Sequence, residues 1–160
     1  MNRRLSVTLL AAVLAGCTVA PKPAPHAPPP IATAPFDWRD APEATGGWRY
    51  VAAADGSTAR FGTGNAAEFE LRCLRATRTI TLSRIGSSAG PLVVTTSYGE
   101  ARWPIHHVAG RSEAALPAAD PALDRIAFSR GRFMVEAPGL IRLVLPAWAE
   151  PGRVIEDCRA

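Results

Sequence analysis

The feature that most constrains the fold is a strict alternation in the middle of the chain. From Glu68 to Cys73 charged and apolar residues take turns, so that Phe69, Leu71 and Cys73 share one face of a strand while Glu68, Glu70 and Arg72 share the other. Successive strand side chains point to opposite faces, and a segment of this kind is stable only with one face on a core and one in water, the habit of an antiparallel sheet. Cys73 therefore points inward. The same period extends to both sides. Trp48, Tyr50 and Ala52 alternate with Arg49 and Val51, Asp55-Gly56 is a type I′ hairpin signal ahead of Thr58 to Phe61, and Gly62 to Asn65 is the next turn. After a turn at Ala76-Thr77, Ile80 and Leu82 alternate with Thr79, Thr81 and Ser83, and Gly86 to Gly90 interrupts the pattern. Leu92 to Tyr98 is a β-rich run, and Ala101 to Val108 reads as one weaker strand that Pro104 pushes to an edge.

The period then changes. Asp120-Pro121 is a helix start, with Asp120 as cap and Pro121 at the first helical position, where its missing N–H costs nothing. Leu123, Ile126 and Ala127 supply the apolar stripe, and Gly131 is the expected stop. Two strands follow around a Pro138-Gly139 turn: Phe133 and Val135 alternate with Arg132, Met134 and Glu136, then Ile141, Leu143 and Leu145 alternate with Arg142 and Val144. A short helix begins near Pro151 and places Val154, Ile155 and Cys158 on its buried side. The expected fold is mainly β, with a minority of α: an antiparallel meander forming a sandwich or a small barrel, with two short helices in the C-terminal half. It occupies residues 36–160 as one domain, and about 125 residues can bury roughly two thirds of their unfolded surface.

Ahead of this domain the chain is of another kind. Asn2, Arg3 and Arg4 precede an apolar run from Leu5 to Leu14, broken only by Ser6 and Thr8, the zones of an export signal too short to span a bilayer. The tetrapeptide Leu14-Ala15-Gly16-Cys17 resembles the lipobox of bacterial lipoproteins. That resemblance implies that residues 1–16 are a leader, that Cys17 is lipidated on sulfur and nitrogen, and, since Thr18 and not Asp follows it, that the protein sits in the outer membrane facing the periplasm. Residues 17–35 are then a linker rich in Pro and Ala, a semi-rigid spacer of at most roughly 55 Å. With Cys17 taken by lipid in an oxidising compartment, Cys73 and Cys158 form an even pair whose inward placement predicts a disulfide. Two thiolates without two further ligands at suitable spacing make a poor zinc site.

A second resemblance covers the folded part. The runs Asp120 to Phe133, Leu145 to Trp148 and Arg153 to Arg159 resemble small alphaproteobacterial envelope lipoproteins, a likeness that spans Phe36 to Arg159 and implies no activity. More distantly, the order helix, strand, strand, helix, terminal cysteine is similar to the end of invasion-associated-locus-B-like envelope proteins.

Charge and motifs exclude more than they name. The net charge of +4 falls to +2 once Arg3 and Arg4 are set aside with the leader, and the arginines are spread along the chain, so no basic stripe for nucleic acid is present. His106-His107 is the most tempting pair for a metal or a general base, yet neighbours on a strand point to opposite faces. Ser129, His107 and Asp124 contain the residue types of a nucleophilic triad without any nucleophile-elbow context. Ser129-Arg130-Gly131-Arg132 can cradle an anion, although a helix C-terminus is the wrong pole for one. Lone His26 among prolines has no partner for a metal, and Trp38, Trp48, Trp103 and Trp148 are core residues before they are a sugar platform. The reading is a non-catalytic binding or structural module with no cofactor, tied to the membrane by its lipid and meeting an envelope protein or peptidoglycan. A periplasmic protease inhibitor and, after it, a cell-wall hydrolase are the alternatives.

Overall fold

The computed structural model describes residues 36–160, so the expected leader, the expected lipid attachment at Cys17, the expected spacer and His26 lie outside the described residues. In chain order the elements are β1 (Gly47–Ala53), β2 (Gly56–Gly62), β3 (Phe69–Leu74), a 3-10 turn at Arg75–Thr77, β4 (Thr79–Ile85), β5 (Leu92–Thr96), β6 (Gly99–Trp103), β7 (His106–Val108), β8 (Arg111–Pro117), α1 (Pro121–Ala127), β9 (Arg132–Glu136), β10 (Leu143–Pro146) and α2 (Ala149–Arg159). They form a six-stranded sheet in the order β1-β2-β3-β4-β8-β7 and a four-stranded sheet in the order β10-β9-β5-β6. Every pairing is antiparallel. Neither sheet closes on itself, which decides for a sandwich over a barrel.

The core lies where the alternation places it. Phe61, Phe69, Leu71, Ile80 and Leu82 from the larger sheet, and Leu92, Phe133 and Leu145 from the smaller, are fully buried. Each such side chain is worth about 1.5 to 3 kcal/mol of transfer free energy. Aromatic rings join the layers: the Phe133 centroid lies 6.3 Å from Trp48 and 6.5 Å from Phe69, and the Trp48 indole N–H donates to the Pro146 carbonyl at 2.8 Å. A four-stranded sheet cannot cover a six-stranded one. The uncovered inner face at β1 to β3 is taken by α2, which buries Val154, Ile155 and Cys158 against it. Cys158 is bonded to Cys73, Cα atoms 5.5 Å apart across 85 residues of sequence.

At the other end of the larger sheet the inner face turns polar. Arg84, in line with Ile80 and Leu82 and only 4% exposed, donates to the carbonyl and carboxylate of Glu68 at 3.0 and 3.1 Å and to the Ile141 carbonyl at 3.0 Å. Burial pushes its guanidinium down from the ordinary arginine value, and the Glu68 charge works against that. It stays charged, because the starting point is so high. Beside it Ser112 donates to the Gly86 carbonyl and accepts from Ser88 N–H, and Ser88 donates to the Pro138 carbonyl. These bonds pin the loops at 86–91 and 137–141 to the sandwich.

Several expectations need correction. Ala101 to Val108 is two strands: Pro104 ends β6 at the edge of one sheet, and the chain crosses to make β7 at the edge of the other. The central strand β8 went unread because Ala114, Ala115 and Ser112 carry little β-propensity and its hairpin turns on Ala109-Gly110, with Ala109 at φ 47° in place of Asn or Asp. Between β1 and β2 the two turn residues are Ala54-Asp55, and Gly56 already pairs with Ala53; a Cβ there would strike the Cys73 carbonyl. Helix α1 ends at Ala127, four residues before Gly131, and α2 starts two residues before Pro151. Met134 and Val144 are buried as well, because Trp38 covers the outer face of the smaller sheet. Ile141 lies outside β10 and is 82% exposed.

Loss of the cross-link in Cys158→Ser frees the unfolded chain from a loop closure across 85 residues, and the chain-entropy model sets a ceiling of about 4 to 5 kcal/mol for a loop of this size. Urea unfolding should show a loss of at least about 2 kcal/mol, as Cys73→Ser should. A second contact on the same helix carries a pH signature. Tyr50 Oη donates to Asp157 Oδ2 at 2.6 Å, and that bond, ahead of the Arg153 and Arg75 charges and against the effect of burial, holds the Asp157 carboxyl below the usual carboxylate range. A depressed folded-state value stabilises above the unfolded value of about 4 and is lost as pH falls through the folded one. Tyr50→Phe should cost about 1 to 2 kcal/mol at pH 7, with the difference from wild type shrinking in acid.

Candidate binding site

The crossing from one sheet to the other builds the main surface groove. Trp103 is the last residue of β6 and half-buried against the core. Its indole N–H donates to Asp120 at 3.3 Å, and Asp120 also caps α1 by accepting from Ala122 N–H at 2.8 Å, so the helix start fixes the indole. Pro104 and Ile105 carry the chain across to β7. Opposite them stand Ala89, Gly90 and Pro91 on the loop that Ser88 and Ser112 pin down. The space between is about 580 Å³, with apolar walls of Pro91, Trp103, Pro104 and Ile105 and the polar Arg102 and His107 beside them. Arg102 is paired with Glu100. An apolar trough with few polar groups on a stiff frame is how ligand sites are made.

His106 and His107 diverge, as strand geometry requires. His107 lines the groove; His106 stands on the outer face of the larger sheet with Nε2 3.9 Å from Glu113. Among the described residues no three histidine, cysteine or acidic groups are placed to hold a metal.

Ser129, His107 and Asp124 are not brought together. Ser129 is buried, donating to the Arg132 carbonyl at 2.5 Å and accepting from Ser97 N–H at 3.1 Å. Ser97 follows the far end of β5, whereas His107 lies at the groove beside Pro91, so a strand length on the order of 15 Å separates them. Asp124 pairs with Arg159 at 2.6 Å. The four tryptophans divide: Trp48 is core, Trp38 a satellite cluster, Trp103 the wall of the groove, and Trp148 is half exposed ahead of α2.

One polar constellation escaped the sequence reading because only strand register reveals it. Across the outer face of the larger sheet Arg60, Glu70, Ser83, Glu113 and His106 fall opposite one another in one row. Ser83 donates to Glu113 at 3.1 Å and accepts from Arg111 Nε at 2.6 Å, and it is 2% exposed. The carboxylate sits between hydroxyl and imidazole. A nucleophile needs the base beside the hydroxyl, so this row is a ladder of cross-strand pairs.

Compared with known protein families, curated proteins and solved structures, the chain has no match in any of the three.

Since Ser129 ties the α1 to β9 connection to the end of β5, Ser129→Ala should act as a structural lesion, costing about 1 to 3 kcal/mol for the unpaired buried groups it leaves. Thermal melts check this. His107→Ala, on an exposed rim, should melt with the wild type.

Proposed function

We propose that this chain is a lipid-anchored cell-envelope protein whose folded domain is a non-catalytic binding module. In this reading residues 1–16 direct export, Cys17 carries the lipid, residues 17–35 are the spacer and residues 36–160 work in the periplasm from the outer membrane. The observation that supports it most is the use of cysteines. The sequence has three, two are joined across the core, and the remaining one stands at the lipobox-like Leu14-Ala15-Gly16. A core disulfide suits an oxidising compartment and is rare where thiols are kept reduced.

Binding is favoured over catalysis by what the polar groups already do. Ser83, Ser88, Ser112 and Ser129 each spend their hydroxyls on bonds that hold strands and loops. The groove under Trp103 offers an apolar trough with a cation and an imidazole at its rim, suited to holding part of an envelope protein or a peptidoglycan strand. The resemblance to alphaproteobacterial envelope lipoproteins fits this address and adds no activity.

Two measurements test the reading. Cys17→Ser should leave the outer-membrane fraction; retention there at wild-type level would end the anchor hypothesis. A photocrosslinking residue in place of His107 should capture a discrete envelope partner in cells, while one in place of Thr81, on the outer face of the larger sheet, should not. Equal yields from both positions would remove the groove as the site.

A further inference from the structure

We propose that a second pocket, at the opposite end of β5 from the groove, is a binding site for a phosphate group. It is lined by Trp38, Arg39, Ser97, Arg130 and Arg132 and encloses about 380 Å³. Every charged or hydroxyl side chain in that lining can donate, and no carboxylate lines it. A ligand there must supply acceptors.

Arg132 is held in place by the fold. Arg132 Nη1 donates to the Arg39 and Ala41 carbonyls at 3.3 and 3.0 Å, and its Nη2 lies 3.4 Å from Glu43. The Arg39 guanidinium lies 3.3 Å from Asp37 and 5.0 Å from the centre of the Trp38 ring. Asp37 and Glu43 stand outside the lining and orient these two arginines. Arg130 forms no ion pair among the described residues; its guanidinium lies 5.9 Å from the Tyr98 ring. Its backbone N–H donates to Ser97 Oγ at 2.9 Å, which occupies a lone pair of that hydroxyl and leaves the proton for a ligand. Ser97 N–H in turn donates to the buried Ser129 hydroxyl. The α1 pole that argued against an anion in the sequence does not decide the matter, because the cradle is built from side chains, and two of its arginines come from β9 and from the segment before β1. Guanidinium forks match the oxygens of an oxyanion. A tetrahedral phosphate presents oxygens toward Arg39, Arg130, Arg132 and Ser97 together, whereas a carboxylate has only two and leaves donors unmatched.

The test is titration of the full chain, followed by tryptophan fluorescence, with inorganic phosphate and separately with a water-soluble short-chain phosphatidylglycerol. Saturable binding of at least one probe is expected below about 10 mM, weakening as salt is raised. Equal affinity for both probes means that the phosphate alone is read; preference for the phosphatidylglycerol means that the natural source is a lipid headgroup. Arg130→Gln should weaken binding at least about tenfold with no change in melting temperature, since that side chain is exposed, and Arg72→Gln on the other sheet should bind as wild type. No saturable binding of either probe, an Arg130→Gln variant that binds as well as wild type, or acetate competing as well as phosphate would each overturn the assignment.

Discussion

A six-stranded sheet facing a four-stranded one has more apolar inner surface than its partner can cover, and the covering of that surplus governs the rest of the structure. Part of the inner face of β1 to β3, with Cys73 on it, would meet water without a third element. Helix α2 supplies it with Val154, Ile155 and Cys158. An eleven-residue helix is marginal on propensity alone and draws its stability from the face it buries. The Cys73–Cys158 bond makes that burial permanent, and Tyr50 with Asp157 adds a polar latch at the rim.

The opposite end is closed by different chemistry. Arg84 takes the place of an aliphatic residue on the inner face and binds a carboxylate and two carbonyls from separate loops. Arg84 is buried whereas Glu68 is nearly half exposed, so it is removal of Glu68 that would leave a costly orphan charge, on Arg84. Its effect is on placement. With Ser88 and Ser112 it fixes the loops beside which β6 passes into β7, and so the groove under Trp103 has stiff walls.

How much of this was legible follows from where each signal resides. Phe69, Leu71 and Cys73 were readable because alternation is a local property. The caps and turns at Asp120-Pro121 and Pro138-Gly139 were readable for the same reason. The inward placement of both cysteines, and from it their pairing, needed only period and compartment. What could not be read depended on neighbours distant in sequence. Met134 looks outward by period and is buried because Trp38, some hundred residues earlier, lies over it. Pro104 marks an edge by sequence alone, and only the topology shows that it is the point where the chain changes sheets. The row from Arg60 to His106 exists only in the register of five strands, and the arginine pocket joins residues from three separate segments. Ser129 is a nucleophile type by sequence, and its burial between Ser97 and Arg132 gives it a structural task instead.

Structure and sequence meet in the division of labour proposed for three cysteines: Cys73 and Cys158 close the fold, and Cys17 is the proposed anchor. Intact-mass analysis of the protein purified from the envelope without reductant, after alkylation of free thiols, tests this most directly. The expected result is a chain that begins at Cys17, carries the added mass of lipid and takes up no alkylating agent. A chain with Cys73 and Cys158 both alkylated, or one that retains residues 1–16 with Cys17 unmodified, would contradict it.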